Sequence, residues 1–430
     1  MEKKKTSNPL MMVMITYICT LFIYKDFGVR MYLGYLFLLF PLMFYVLSYK
    51  KINIDKIAYA YFLIIFAILF SFLRHTARFD KDNMAYVISM LICFGYALLM
   101  KPSVKQFEKL EKTIYIFSFS FAVIVIVSRV ARELYLSTIF QLLTIDAQEA
   151  SYDSIWHGYS CTIAGDNTFH NYIFMVATMC SLGHIAESRK NWKNYYIQTL
   201  IFIMASFLTG RRGEFIALLL TWIFLGLFIM PKNQRKKVFK AGIIIGLCTL
   251  PFLPKFFNSS LVSRYITTIL AFKSGNDFLS GRIELWNEAI RLFKEHPILG
   301  IGWGGYAYFV SESYRSIHGN VYNVHNIYLQ FLAETGIVGT TMILLGLFLI
   351  YLHTLKQSFL LKNIEKDCFL RKLNLFSLGV QSYFFIVGLI DPCFMKYYFW
   401  CFYTIAFAMI QYIDQALRNQ NSMKYFLKRI

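Results

Sequence analysis

The chain has 430 residues, of which 57% are hydrophobic, 18% aromatic and only 16% charged, with a mean hydropathy of +0.49. A soluble domain carries about 25% charged residues, so this much apolar surface cannot be covered and an assembly of soluble domains is excluded. The net charge of +20 would suggest nucleic acid in a soluble protein, but here Lys and Arg collect in short loops between apolar runs, and no nucleic-acid partner is expected.

The expectation is an all-α polytopic membrane protein. A bilayer core takes roughly 17–25 apolar residues per helix, and on that rule about twelve spans are predicted. They lie near 9–24, 31–48, 57–73, 84–100, 114–131, 168–186, 196–210, 213–230, 239–256, 326–351, 373–391 and 393–413. MEKKK leads straight into the first without a small-residue cleavage site, so no cleavable signal peptide is expected. Strand alternation is absent, which argues against an outer-membrane barrel. Residues 1–430 read as a single integral membrane domain without internal repeats. Basic clusters at Lys50–Lys51, Lys101–Lys112 and PKNQRKK place both termini on the cytoplasmic side.

Two outward loops are long, about 132–167 and about 257–325. The second far exceeds what a connection needs, and it has internal order. RIELWNEAIRLFKE (282–295) sets Ile283, Trp286, Ile290 and Phe293 on one stripe, which predicts an amphipathic helix at the membrane surface. Pro297 and the glycines after it end that helix. Gly300 to Gly305 fits GxGxxG, but it follows a helix rather than a strand, which excludes a dinucleotide fingerprint. A tight glycine turn is expected instead, with Trp303 and Tyr306 offering faces on which sugars stack.

Three outward positions carry chemistry. Thr209 to Glu214 forms a hairpin between two apolar runs, with Arg211 and Arg212 near membrane depth. Arginine there is costly unless it is paired or faces a wet cavity. Arg282 stands directly before the amphipathic helix, and Arg264 lies earlier in the same loop. His325 and Asn326 open the tenth span, with Glu334 nine residues beyond the histidine. The positive end of a helix disfavours imidazolium, so His325 is expected to be neutral near pH 7 and able to take a proton. His318 and His325 lack a third ligand nearby and the outward loops lack a DxD pair, so neither a metal nor a cofactor is expected. Arginines grip phosphate oxygens bidentately. Metal-free group transfer from a lipid diphosphate is therefore physically coherent, although composition alone does not select it over a transporter of lipid-linked oligosaccharide.

FLTGRRGEFIALLL, SGRIELWNEAIRLFKEHPILGIGWGGY and VHNIYLQFLAETGIVG, in this order, resemble the signature of the bacterial O-antigen ligase and Wzy-type polymerase superfamily. The resemblance covers about 200–350, and its last block, His325-Asn326 followed by Gly336 and Gly339, is the most specific. It implies a GT-C-like glycosyltransferase in the bacterial cytoplasmic membrane, using glycans carried on undecaprenyl diphosphate at the outer face. Carried over, Arg212 and Arg282 hold the diphosphate and His325 is general base on the acceptor hydroxyl. Arg211 stands where many relatives have Ser or Lys, and it joins Arg264, Asn326, Trp303, Tyr306 and Glu334 as expected substrate contacts. The Gly-Arg-Arg-Gly turn and the SGRIELWNEAI block look closer to O-antigen, capsule and exopolysaccharide polymerases, which implies a chain-length-regulating co-polymerase as partner. The alternative is a ligase that passes the finished glycan to lipid A core.

Overall fold

The structure, a computed structural model, describes residues 10–17, 31–48, 56–74, 81–100, 102–156, 159–160, 167–187, 192–229, 282–310, 323–362 and 368–427, with short pieces between 235 and 243. The described residues are helical, with no strand among them. In chain order the helices are α1 (Met31–Ser48), α2 (Lys56–Arg74), α3 (Lys81–Leu99), α4 (Val104–Val130), α5 (Arg132–Ser137), α6 (Ile145–Trp156), α7 (Asn167–Glu187), α8 (Trp192–Leu208), α9 (Arg212–Phe224), α10 (Arg282–Glu295), α11 (Tyr306–Phe309), α12 (Ile327–Lys362), α13 (Cys368–Val387) and α14 (Tyr397–Leu427).

Among the described residues, four helical stretches are long and apolar enough to cross a bilayer: Lys56–Arg74, Val104–Val130, Arg212–Ile229 and Ile327–Leu361. Tyr86–Leu99 and Asn194–Leu208 are shorter apolar stretches. α7, α13 and α14 overlie three more expected spans. Most of the ninth, 239–256, lies outside the described residues, as does Arg264. The segment 132–167, expected as an outward loop, holds helices α5 and α6.

The core is aromatic. Tyr61, Tyr172, Tyr383, Phe399, Phe402 and Trp400 are all fully buried, and α13 and α14 bury nearly every turn where they meet α7, α3 and each other. Exposed apolar side chains such as Phe40, Phe44, Phe66 and Phe70 lie on the outside of the bundle. That inversion is what a lipid solvent permits.

The feature that positions the site is a break in α12. Gly336 has φ 62°, a left-handed value that interrupts the helix. The glycine loop after α10 is threaded into the gap. The Ile301 and Gly302 amides donate to the Ala333 and Glu334 carbonyls at 3.0 and 2.9 Å. In return the Pro297 and Ile298 carbonyls accept from the amides of Ile337 and Val338 at 2.9 and 3.2 Å. Carbonyls and amides freed by the break thus find partners, as membrane depth demands. A Cβ at Gly300 would sit 2.4 Å from the Glu334 carbonyl carbon, so no other residue lets the two backbones meet.

Candidate functional site

The hairpin before α9 is held from below. Ser206 Oγ donates to Asn171 Oδ1 (2.6 Å), and Asn171 Nδ2 donates to Thr209 Oγ1 (3.0 Å). Thr209 Oγ1 also accepts the Arg211 amide at 3.3 Å. Arg211 then projects its guanidinium over Tyr159, 4.9 Å from the ring centroid. Gly213 packs against Ile390, which draws the hairpin onto the α13–α14 connection.

α12 docks at the same place. The Ile327 amide donates to the Gly388 carbonyl (2.8 Å), and Tyr328 Oη donates to the Phe385 carbonyl (2.6 Å). Asn326 caps the helix, its Oδ1 accepting from the amides of Tyr328 and Leu329 at 3.0 and 3.2 Å. His325 sits just outside the span in a left-handed conformation, φ 55°, the single non-glycine positive φ among the described residues. Such strain persists only where the surroundings enforce it. Burial first, and then the positive charge of Arg282, push the imidazole down to about 4, with the Asp391 carboxylate opposing them and Lys396 and Arg211 adding to them. The histidine is therefore neutral at physiological pH, the form a proton acceptor needs.

Those electrostatic effects show what the fold has gathered. Arg211, Arg282 and His325, distant in sequence, share one neighbourhood with Asp391 and Lys396. Of the arginine pair, Arg211 is one of the charges that lower the histidine, while the resemblance assigned the diphosphate to Arg212. Arg212 forms the first residue of α9 and is half-buried. Among the described residues no carboxylate pairs with Arg282. Sequence reading overlooked the DPCFMK connection. Asp391 is buried and accepts from Tyr172 Oη (2.7 Å) and from Lys396 Nζ (2.9 Å). Glu214, also buried, lies within the fields of Arg211, Asp391 and Lys396. The available signal was an acid and a base interrupting an otherwise apolar hairpin.

Other expectations are corrected. Trp303 and Tyr306 are buried, at 2% and 0% exposure. Trp303 stacks on Phe331, and Tyr306 donates its hydroxyl to the Leu285 carbonyl (2.9 Å), so neither offers a face to a sugar. Among the described residues, Glu334 meets no cation. It accepts from the Gly304 and Tyr306 amides at 2.9 and 3.2 Å and from Gln330 Nε2 at 3.2 Å, pinning the glycine loop to α12. Asn326, expected to touch substrate, spends its carbonyl oxygen on the cap. α10 covers the expected residues, but its buried side is Glu288, Ala289 and Leu292 packed on α12, leaving Ile283 and Ile290 exposed. Glu288 is engaged by Arg291 rather than by Arg282. Among the described residues, no three His, Cys, Asp or Glu side chains gather as metal ligands would.

Residues 197–344 match a family model described as O-antigen ligase, Wzy_C. That segment is similar to the O-antigen ligase family. It runs from α8 into α12 and so contains Arg211, Arg212, Arg282 and His325, while Asp391 and Lys396 lie beyond it. Two relatives are similar to this chain. One, an uncharacterized protein of Haemophilus influenzae, is 31% identical over 34% of this chain and 39% of its own length. The other, named ComP-specific O-oligosaccharyltransferase, from Acinetobacter baylyi, is 24% identical over 88% of this chain. The match to it spans 65% of that relative's length.

Proposed function

We propose that this chain is a member of the O-antigen ligase family and a glycosyltransferase that passes an oligosaccharide from a lipid diphosphate to an acceptor hydroxyl. The observation that carries the reading is the convergence of Arg211, Arg282 and Lys396 on a neutral, strained His325. The N-termini of α9 and α12 adjoin Arg211 and His325, and α10 begins at Arg282 itself, so helix ends reinforce an anion-binding environment.

In this reading the diphosphate lies among the cations. His325 takes the acceptor hydroxyl proton as the oxygen attacks the anomeric carbon. The bond from that carbon to the diphosphate oxygen breaks, and the electron pair leaves on the diphosphate. A single displacement inverts the anomeric centre. The arginines stabilise the departing charge, the role a divalent cation plays in other phosphate chemistry. A bound diphosphate also offsets the cations that depress His325, which raises the histidine toward the range of a useful base once donor is present. Asp391 holds Lys396 in place and counters the cations at the histidine.

Transfer of a whole glycan is preferred to polymerisation. The family description and the name of the Acinetobacter relative both speak of ligation or transfer, and neither speaks of chain growth. This reverses the polymerase preference drawn from the Gly-Arg-Arg-Gly turn, and it needs no co-polymerase. The site then faces outward from the cytoplasmic membrane, with both termini inside.

The test is reconstitution of purified protein with an undecaprenyl-diphosphate oligosaccharide, offering lipid A core in one arm and a second donor molecule in the other. A single transferred species on lipid A core supports the ligase. A ladder formed from donor alone supports the polymerase. Silence in both arms from folded protein rejects transfer to these acceptors and favours transport.

A further inference from the structure

A second charged groove lies at the opposite end of the bundle. α2 runs from Lys56 to Arg74, and Arg74 Nη1 donates to the Leu299 carbonyl (2.7 Å) beside the glycine loop that adjoins the candidate site. Nineteen residues at 1.5 Å each put Lys56 about 27 Å away, a bilayer's hydrocarbon thickness. There α2, α12 and α14 enclose a groove of about 680 Å³. Its walls are apolar, from Ile57, Ala60, Leu63, Leu349 and Leu352, and its rim carries Lys56, Lys356 and Arg418.

Asp414 is the one acid among the described lining residues. His353 Nε2 contacts its Oδ2 at 2.8 Å and Gln357 Nε2 donates to its Oδ1 at 2.8 Å, so both of its oxygens are already engaged. The rim is thus positive while the walls are greasy. Lys356 and Arg418 lie more than a turn inside the C-terminal ends of their helices, beyond the reach of the helix dipole. Lys56 opens α2, whose first turn carries no acid, and the dipole there opposes a cation and favours an anion.

We infer that this groove is a binding site for an anionic glycerophospholipid of the leaflet opposite the candidate site, its acyl chain along the α2–α12 wall and its phosphate among Lys56, Lys356 and Arg418. A zwitterionic head group brings its own cation to a rim that already holds three, so charge complementarity selects the anionic lipid. The walls select a lipid over a free anion.

The test is native mass spectrometry of the full chain released from neutral detergent, with a phosphatidylglycerol and a phosphatidylcholine of identical acyl chains added separately. The wild type is expected to keep the phosphatidylglycerol preferentially. Lys56→Gln combined with Lys356→Gln is expected to weaken that retention by roughly tenfold or more, and Lys56→Arg with Lys356→Arg to preserve it. Melting of the wild type gives a readout that needs no variant: phosphatidylglycerol should raise the melting temperature more than phosphatidylcholine. Equal retention of the two lipids, equal melting shifts, or full retention by the Gln pair overturns the inference. So does displacement by millimolar inorganic phosphate alone, or a protein dimer that excludes the lipid.

Discussion

Two of the ionic clusters among the described residues, one toward each end of the helices, are built on opposite terms. In the first, Glu111 of α4 pairs with Lys372 of α13 and with His184 of α7, Lys372 also contacts His184 at 2.8 Å, and Tyr195 stacks on the histidine ring at 4.0 Å. Each group there has its partner, and three helices are tied together. In the second, among the described residues, Arg211, Arg282 and Lys396 outnumber Asp391 and Glu214 around a histidine held neutral. A cluster whose charges are matched holds helices in register. One with cations in surplus has affinity left over for an anion. Burial alone does not separate the two, since both are largely withdrawn from solvent.

The largest expected effect strikes the second cluster. His325→Ala should lower transfer by about 10²–10⁴-fold, the usual contribution of a general base, with the protein still eluting as a single folded species. His325→Gly sharpens this result. Relief of left-handed strain offsets the added backbone entropy of glycine, so stability should stay within about 1 kcal/mol of wild type while activity is lost. Activity that survived either change would remove His325 from the chemistry.

Next come the cations. Arg211→Gln or Arg282→Gln should each cost about 10²–10³-fold in kcat, in line with loss of one donor at a developing negative charge, and Lys should restore little at a bidentate site. The pH profile separates charge from packing. Because His325 sits at about 4, kcat/KM should be flat from pH 7 to about 5 and fall below that. Arg282→Gln removes a like charge and should move the acid limb upward. The same depression makes stability fall as pH drops from about 6.5 through 4, since the unfolded imidazole binds its proton first.

The brace between the clusters should act through folding. Gly336→Ala meets the Ile298 carbonyl oxygen at 2.4 Å from its Cβ and keeps an unfavourable φ, so a loss of more than about 2 kcal/mol is expected in thermal unfolding. The smallest effect on activity should come from the first cluster. Lys372→Met strands the Glu111 carboxylate with His184 alone, destabilising the fold by about 3 kcal/mol. Turnover per folded molecule should nevertheless stay at the wild-type value. A fall in turnover comparable to that of Arg282→Gln would erase the distinction between the clusters.

Much of this was legible in the residues. Apolar runs of bilayer length and the α10 boundaries follow from composition and helical periodicity, because those properties are local; the neutrality of His325, expected from the helix end, comes instead from burial and Arg282. Trp303, Tyr306 and Asn326 misled for a related reason: aromatic and amide side chains near a candidate site look the same whether they face substrate or the core. Asp391 and Lys396 were passed over because their importance lies in which other helices meet them.

Membrane residence, the apolar helices and the arginines and histidine near span ends follow from the residues alone, whereas α5 and α6 do not. Solvent transfer and hydrogen-bond periodicity act residue by residue, so they can be read in one dimension. Folding in three dimensions set Arg211 among the charges on His325, made Glu334 the brace of a glycine loop, and turned Leu292 rather than Ile290 of α10 inward. Those outcomes depend on distances between segments up to hundreds of residues apart. Charge and steric contact fall off over a few ångströms in space, with no regard to separation along the chain.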